Sequence, residues 1–258
     1  MPSSLTSFTP IADLLRGRVI FITGSSDGIG RELAKAAASL GASVILHGRN
    51  IKKLEKVYDE IIAAKQPRPS ILPLDLEKAG APEYEAIAAA IDKEFGRLDG
   101  LVHNAAILGE RAPIAHYDVA KWLRTMHVNV NAPFILTRYC LPLLMKSQDA
   151  SIIFTSSGIV PNPRAYWGAY LASKWAGEGL MHMLAIELES EPHLRVNSVN
   201  PGGVRTNMRL QAYPAENRDL LAAPEDVLKP YLYLLGPASR GVTGQSLQSE
   251  DGPEFVAH

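Results

Sequence analysis

The run Tyr170-Leu171-Ala172-Ser173-Lys174 sets a phenol and an ammonium four residues apart. On a helix this spacing puts both groups on one face, one turn apart. A free tyrosine has a pKa of about 10, too high for efficient proton transfer near neutrality. An ammonium about 4 Å away, at an effective dielectric near 20, is worth up to about 4 kcal/mol, enough to bring a phenol down to near 7. The pair could therefore work as an acid–base unit. Tyr and Lys at this spacing also occur often by chance, so the weight falls on their surroundings. Thirteen residues before Tyr170 stands Ser157, which closes Thr155-Ser156-Ser157 at the end of an apolar run. Its hydroxyl could hydrogen-bond an oxygen on which charge develops. The local Thr-Ser-Ser-Gly is not the G-x-S-x-G elbow of a hydrolase nucleophile.

A second chemical feature is Thr23-Gly24-Ser25-Ser26-Asp27-Gly28-Ile29-Gly30, between a short apolar run and an Ala- and Leu-rich stretch. Glycines allow a tight turn and let a pyrophosphate approach the backbone, and the following helix start offers free N–H groups. A plain strand-to-helix turn is the simpler alternative. Further on, Leu46-His47-Gly48-Arg49-Asn50 has Gly48 where an NAD-preferring site usually has a carboxylate for the ribose hydroxyls. Gly48 leaves room and Arg49 can bind a 2′-phosphate, which favours NADP(H) while NAD(H) stays possible. Asp27 opposes this, since a carboxylate beside that phosphate offsets part of the gain.

These groups must be carried by regular elements. The pattern predicts strands over 19–23, 43–47, 70–74, 98–103, 151–155, 195–199 and 242–247. Helices are expected over 29–40, 51–65, 82–95, 117–146, 169–189 and 224–235. This alternation implies an α/β fold: one doubly wound, Rossmann-type domain over residues 1–258, with about seven mostly parallel strands and helices on both faces. The ends, 1–16 and 249–258, are expected to be loosely structured. The irregular stretch 203–223 lies where a substrate lid could be.

Composition narrows the function. A net charge of −1 with no basic stripe argues against nucleic-acid binding by bulk positive charge. One cysteine, Cys140, excludes an intrachain disulfide framework and fits a reducing compartment. No signal peptide, membrane span or metal-ligand spacing is expected, so a cytoplasmic location is the default.

The string from Thr23 to Gly30 resembles the glycine motif of the short-chain dehydrogenase/reductase family in its single-domain form. His103-Asn104-Ala105-Ala106 is similar to that family's Asn-Asn-Ala-Gly, with two departures. Asp75, followed by Leu76, stands where the family places an Asp beside the adenine ring. Pro201-Gly202, with Val204 and Thr206, resembles its loop around the nicotinamide amide. The resemblance spans residues 17 to 250. It implies that Tyr170 gives a proton to a carbonyl oxygen in reduction and takes it back in oxidation. Ser157, rather than Ser156, would hold that oxygen. Lys174 would also bond the nicotinamide ribose, and Asn129, rather than Asn131, would hold a relay water. The implied cofactor contacts are Gly24, Ser26, Asp27, Gly28, Ile29, Gly30, Arg49, Asn50, Asp75, Leu76, Asn104, Ala105, Pro201, Gly202, Val204 and Thr206, with Tyr170 and Lys174. A homodimer or homotetramer through 117–146 and 169–189 is implied as well. The run Trp167-Gly168-Ala169-Tyr170 resembles a bacterial subgroup, which implies no particular substrate.

The expected function is reversible, NADP(H)-dependent hydride transfer between nicotinamide and a carbonyl or secondary alcohol, with a 3-oxoacyl thioester as first substrate. The alternative is a catalytically idle nucleotide-sensing or scaffold protein on the same fold. Trp167, with Tyr166, could line the substrate pocket beside Ser157 and Tyr170, or pack in the core or at a subunit interface. Arg164 could meet an anionic substrate or a carrier protein, or be a plain exposed loop residue. His103 is expected to have a structural role.

Overall fold

The computed structural model describes residue 5 and residues 7–249. The described residues form one seven-stranded parallel sheet in the order β3-β2-β1-β4-β5-β6-β7. The strands are β1 (Val19–Ile22), β2 (Ser43–Gly48), β3 (Ser70–Pro73), β4 (Gly100–His103), β5 (Ala150–Thr155), β6 (Leu194–Asn200) and β7 (Ser246–Gln248). Between them lie α1 (Gly28–Ser39), α2 (Ile51–Ala63), α3 (Ala81–Phe95), α4 (Val119–Met126), α5 (Ala132–Met145), α6 (Gly168–Glu187), α7 (Asn207–Ala212) and α8 (Lys229–Leu235).

Alternation along β1 explains the layers. Ile20 and Ile22 join an apolar cluster with Leu33 of α1, Leu54 of α2 and Leu232 of α8. Val19 and Phe21 face the other way, toward Tyr84 of α3, Leu136 of α5 and Met181 of α6. A strand buried on both faces needs a continuous apolar run, which is what the sequence shows. Strand order reverses between β1 and β4, and the crevice at such a switch point is where doubly wound sheets bind ligands.

The structure corrects three expectations. The helix expected over 117–146 is broken by a π-helical turn at His127–Asn131, where the Ala132 N–H reaches back to the His127 carbonyl. Pro133, next in the chain, has no N–H to continue the α pattern. The helix expected over 224–235 is a 3₁₀ turn (Pro224–Val227) followed by α8, with Pro230 in the first turn of α8. β7 is shorter than 242–247, because Gly244 has a positive φ of 67° and leaves extended geometry. Of the ends expected to be loose, residues 1–4, 6 and 250–258 lie outside the described residues. At the N-terminal end, residues 7–16 hold turns and no helix or strand; Leu15 is fully buried and the Phe8 ring meets Tyr233 edge-on at 5.3 Å, while Ile11 is exposed.

The segment 203–223, expected to serve as a lid, is not bare loop. It holds α7, a 3₁₀ turn (Arg218–Leu220) and a parallel bridge between Val204 and Ala222.

Candidate active site

The cleft over the carboxyl ends of the strands encloses about 790 Å³. Its floor is set by the glycine turn. Gly24 has φ +69°, and a Cβ there would stand 3.0 Å from the Ala105 Cα. A Cβ on Gly30 would stand 2.4 Å from the Gly24 carbonyl oxygen and 2.5 Å from Asn104 Nδ2. Gly30 therefore serves close packing beneath the turn and does not line the cleft. Asn104 braces the same turn: its Nδ2 donates to the Thr23 carbonyl at 3.0 Å, while the Asn104 and Ala105 amides both donate to Thr23 Oγ1.

Gly24, Ser26, Asp27, Gly28 and Ile29 line the cleft, as do Arg49, Asp75, Leu76, Asn104 and Ala105. So do Pro201, Gly202, Val204 and Thr206. Asn50 does not. Its side chain caps α2 by accepting from the Lys53 N–H at 3.1 Å. Thr206 is likewise a helix cap, accepting from Arg209 N–H at 3.2 Å, but it still borders the cleft. Asp27 caps α1 through Gly28 N–H at 2.8 Å. Its other oxygen accepts from Lys53 Nζ at 2.9 Å and from Asn207 Nδ2 at 3.0 Å. The Lys53 bond, outweighing burial, keeps the Asp27 carboxyl below its usual range. Lys53 and Asn207 were not expected at this site; neither belongs to a recognisable motif.

A dinucleotide fits this donor set. The start of α1 offers backbone N–H groups to a pyrophosphate. Gly48 has no side chain to fill the end of β2, where a Cβ would stand 3.3 Å from Ser26 Oγ. Arg49 is half-free at the surface, with Glu77 no nearer than 4.0 Å.

At the other end of the cleft, Ser157, Tyr170 and Lys174 come together. α6 carries Tyr170 and Lys174 on its buried face, and Ser157 follows two residues after the end of β5. Lys174 Nζ donates to the Thr155 carbonyl at 2.7 Å and lies 5.6 Å from the Tyr170 ring centre. The expected lowering of the phenol by Lys174 is not what the protein alone does. Burial pushes the Tyr170 pKa up, and Ser157 draws it back only in part. Burial also lowers Lys174 to about 8, against the opposing charge of Glu178 one turn further along α6. Glu178 is itself buried, accepting from Ser198 Oγ at 2.9 Å.

Asn129 sits in the π-helical turn, behind the cleft wall. It exchanges bonds with the Ile107 backbone, accepting at 2.8 Å and donating at 2.9 Å, and donates to Ser173 Oγ at 3.0 Å. It thus clamps the loop after β4 to α6, one residue from Lys174. Trp167 is buried and lines the cleft, with its ring 5.7 Å from Tyr170. His103 is buried against Phe154 and bonds Thr137 Oγ1 at 2.8 Å, which gives it a packing role.

The parallel sheet, the glycine turn at its switch point and a phenol, ammonium and hydroxyl gathered beside it define a nucleotide-binding oxidoreductase of the Rossmann type. The chain belongs to the short-chain dehydrogenase family, whose model matches residues 18–217. It is 44% identical over 245 residues to the Escherichia coli (strain K12) protein called "Uncharacterized oxidoreductase YciK", covering 95% of this chain and 96% of that one. A short chain dehydrogenase from Pseudomonas syringae has a similar structure, with a TM-score of 0.92 and 52% identity, covering 94% of this chain and 99% of that one. Another, from Shigella flexneri 2a, was solved in complex with NADP; its TM-score is 0.90 at 44% identity, covering 93% of this chain and all of that one. No helix among the described residues is long and apolar enough to cross a membrane.

Proposed function

We propose that this protein is an NADP(H)-dependent carbonyl reductase, working reversibly on a carbonyl or secondary alcohol through Tyr170, Ser157, Lys174 and Asn129. The convergence of Ser157, Tyr170 and Lys174 in the same cleft as the glycine turn carries the proposal. When bound, the nicotinamide supplies or accepts the hydride. Tyr170, kept protonated by burial, donates to the substrate oxygen, and Ser157 shares that oxygen as charge develops. Lys174 is charged at neutral pH and bridges α6 to the end of β5. Asn129 holds the backbone geometry behind them.

NADP(H) is favoured over NAD(H) by Arg49 beside the bare Gly48 and by Lys53, which neutralises Asp27. The NADP complex of the S. flexneri relative supports this preference. A 3-oxoacyl thioester is the first substrate to try. The chain acts as one domain, in the cytoplasm, as a homodimer or homotetramer. An apolar stripe supports assembly: Trp175, Met183 and Ile186 share one exposed face of α6, and Phe134 is exposed on α5.

NADPH oxidation measured against acyl thioesters, quinones, sugars and simple ketones tests the activity. Turnover of at least one class is expected. Tight NADPH binding with no turnover of any class would instead favour an idle nucleotide-sensing protein.

A further inference from the structure

Beyond Trp167 the cleft has an outer annexe of about 480 Å³. Its walls are Arg111, Pro113, Tyr166, Gln211, Ala212 and Pro214, and it meets the main cleft at Gln211 and Ala212. Three segments build it: the loop after β4, the loop after β5 and the lid.

The guanidinium of Arg111 is held firmly. It lies 4.9 Å from the Trp167 ring centre and 5.1 Å from that of Tyr213, and one Nη donates to the Ala212 carbonyl. Arg164 Nη1 donates to the Tyr213 hydroxyl at 3.1 Å. Arg209 stacks on the same tyrosine at 4.1 Å, but its Nε and one Nη are taken by Glu216. Among the described residues, neither Arg111 nor Arg164 forms an ion pair with a carboxylate. Two cations, one locked by rings, thus converge on Tyr213 without a counter-charge. A guanidinium held in place loses little freedom when it binds a planar oxyanion, so its fork is ready for two hydrogen bonds. Tyr166, across the annexe, has a positive φ of 70°, a left-handed conformation uncommon for a non-glycine residue and often kept at functional sites.

We propose that the annexe is an anion subsite: the substrate reduced beside Tyr170 carries a carboxylate or phosphate, Arg111 in the annexe wall binds that group, and Arg164, held on the Tyr213 hydroxyl, adds a second positive charge nearby. The subsite has a role only if carbonyl reduction takes place at Tyr170, so it stands on that function. Because Tyr213 and Ala212 belong to the lid, a bound anion would also tie the lid to the loop that carries Arg111.

Matched carbonyl pairs test this. Acetoacetyl coenzyme A and the neutral acetoacetyl N-acetylcysteamine thioester form the phosphate arm. 5-Oxohexanoate and its methyl ester form the carboxylate arm. The kcat/KM of each is measured with NADPH for the wild type, Arg111→Gln, Arg164→Gln and Arg111→Lys. The wild type is expected to prefer the anionic member of at least one arm by roughly 10- to 100-fold, the size of a charge-assisted contact. The arm in which this happens tells phosphate from carboxylate. Both glutamine variants should lower that preference through KM rather than kcat, and Arg111→Lys should keep part of it. Thermal melting confirms that each variant is folded, and Arg164→Gln decides the matter if Arg111→Gln is not. Equal use of anionic and neutral members by the wild type, or a preference that survives in both glutamine variants, overturns the subsite. If no member of either arm is reduced, carbonyl reduction itself fails for these ketones and the subsite falls with it.

Discussion

The ammonium of Lys53, in the first turn of α2, sits 2.9 Å from a carboxylate oxygen of Asp27 in the glycine turn. This contact removes a conflict. Asp27 on its own would repel a 2′-phosphate held by Arg49; paired with Lys53 it does not. The pair is about half exposed, so its effect is modest and screened by salt. Lys53→Met should weaken NADPH binding about five-fold at low ionic strength and leave NADH binding within two-fold. Fluorescence titration of each cofactor reads this. Equal weakening of both cofactors would show that Lys53 supports only the fold of the turn.

Tyr170→Phe removes the proton donor and leaves the ring that packs on Trp167. NADPH affinity should hold within a few-fold, while kcat falls by roughly 100-fold or more. Stopped-flow turnover beside a binding titration separates the two. Unchanged turnover would remove Tyr170 from the mechanism.

Lys174 is lowered to about 8 by burial, and the charge of Glu178 holds it from going lower. Taking that charge away lowers it further. The alkaline limb of kcat/KM, where Lys174 loses its proton, should therefore move to lower pH in Glu178→Gln. The glutamine can still bond Ser198, so packing alone predicts no such movement. A pH–rate profile from 6 to 10 is the measurement. A limb that stays in place would mean that another group titrates there.

Burial lowers His47 to about 4 and His103 to about 3, with His47 adding its repulsion to the latter. Both folded values lie below the unfolded value of about 6.5, so the unfolded chain holds more protons as pH falls below 6.5. Their stabilisation is complete above pH 6.5 and is lost as pH drops toward 4 and 3. At pH 5 the loss is on the order of 2 kcal/mol per histidine. His103→Asn, which can still bond Thr137, should flatten the fall in Tm between pH 7.5 and 5. An unchanged slope would place the acid sensitivity elsewhere.

Much of the site was legible in the chain because its signals are local. The glycine turn needs residues without a Cβ at fixed offsets, and Gly24 and Gly30 show why at 3.0 and 2.4 Å. Tyr170 and Lys174 share a face because helical geometry puts i and i+4 there. Asn50 shows the same locality: its side-chain oxygen caps α2, a role that its place before the helix also allows.

What sequence alone determined was the alternation of buried strands and helices and the oxidoreductase class, and it named the residues proposed to act, since each rests on period, spacing or a short motif. Tertiary structure alone decided how the charges pair. Lys53 meets Asp27 across 26 residues, and Asn207 meets the same carboxylate across 180. Lys174 turns to the Thr155 carbonyl instead of lowering the phenol, because a desolvated ammonium needs a hydrogen-bond acceptor. Arg111, Arg164 and Tyr213 come from three separate segments, and only the folded cleft sets two unpaired guanidiniums beside one ring.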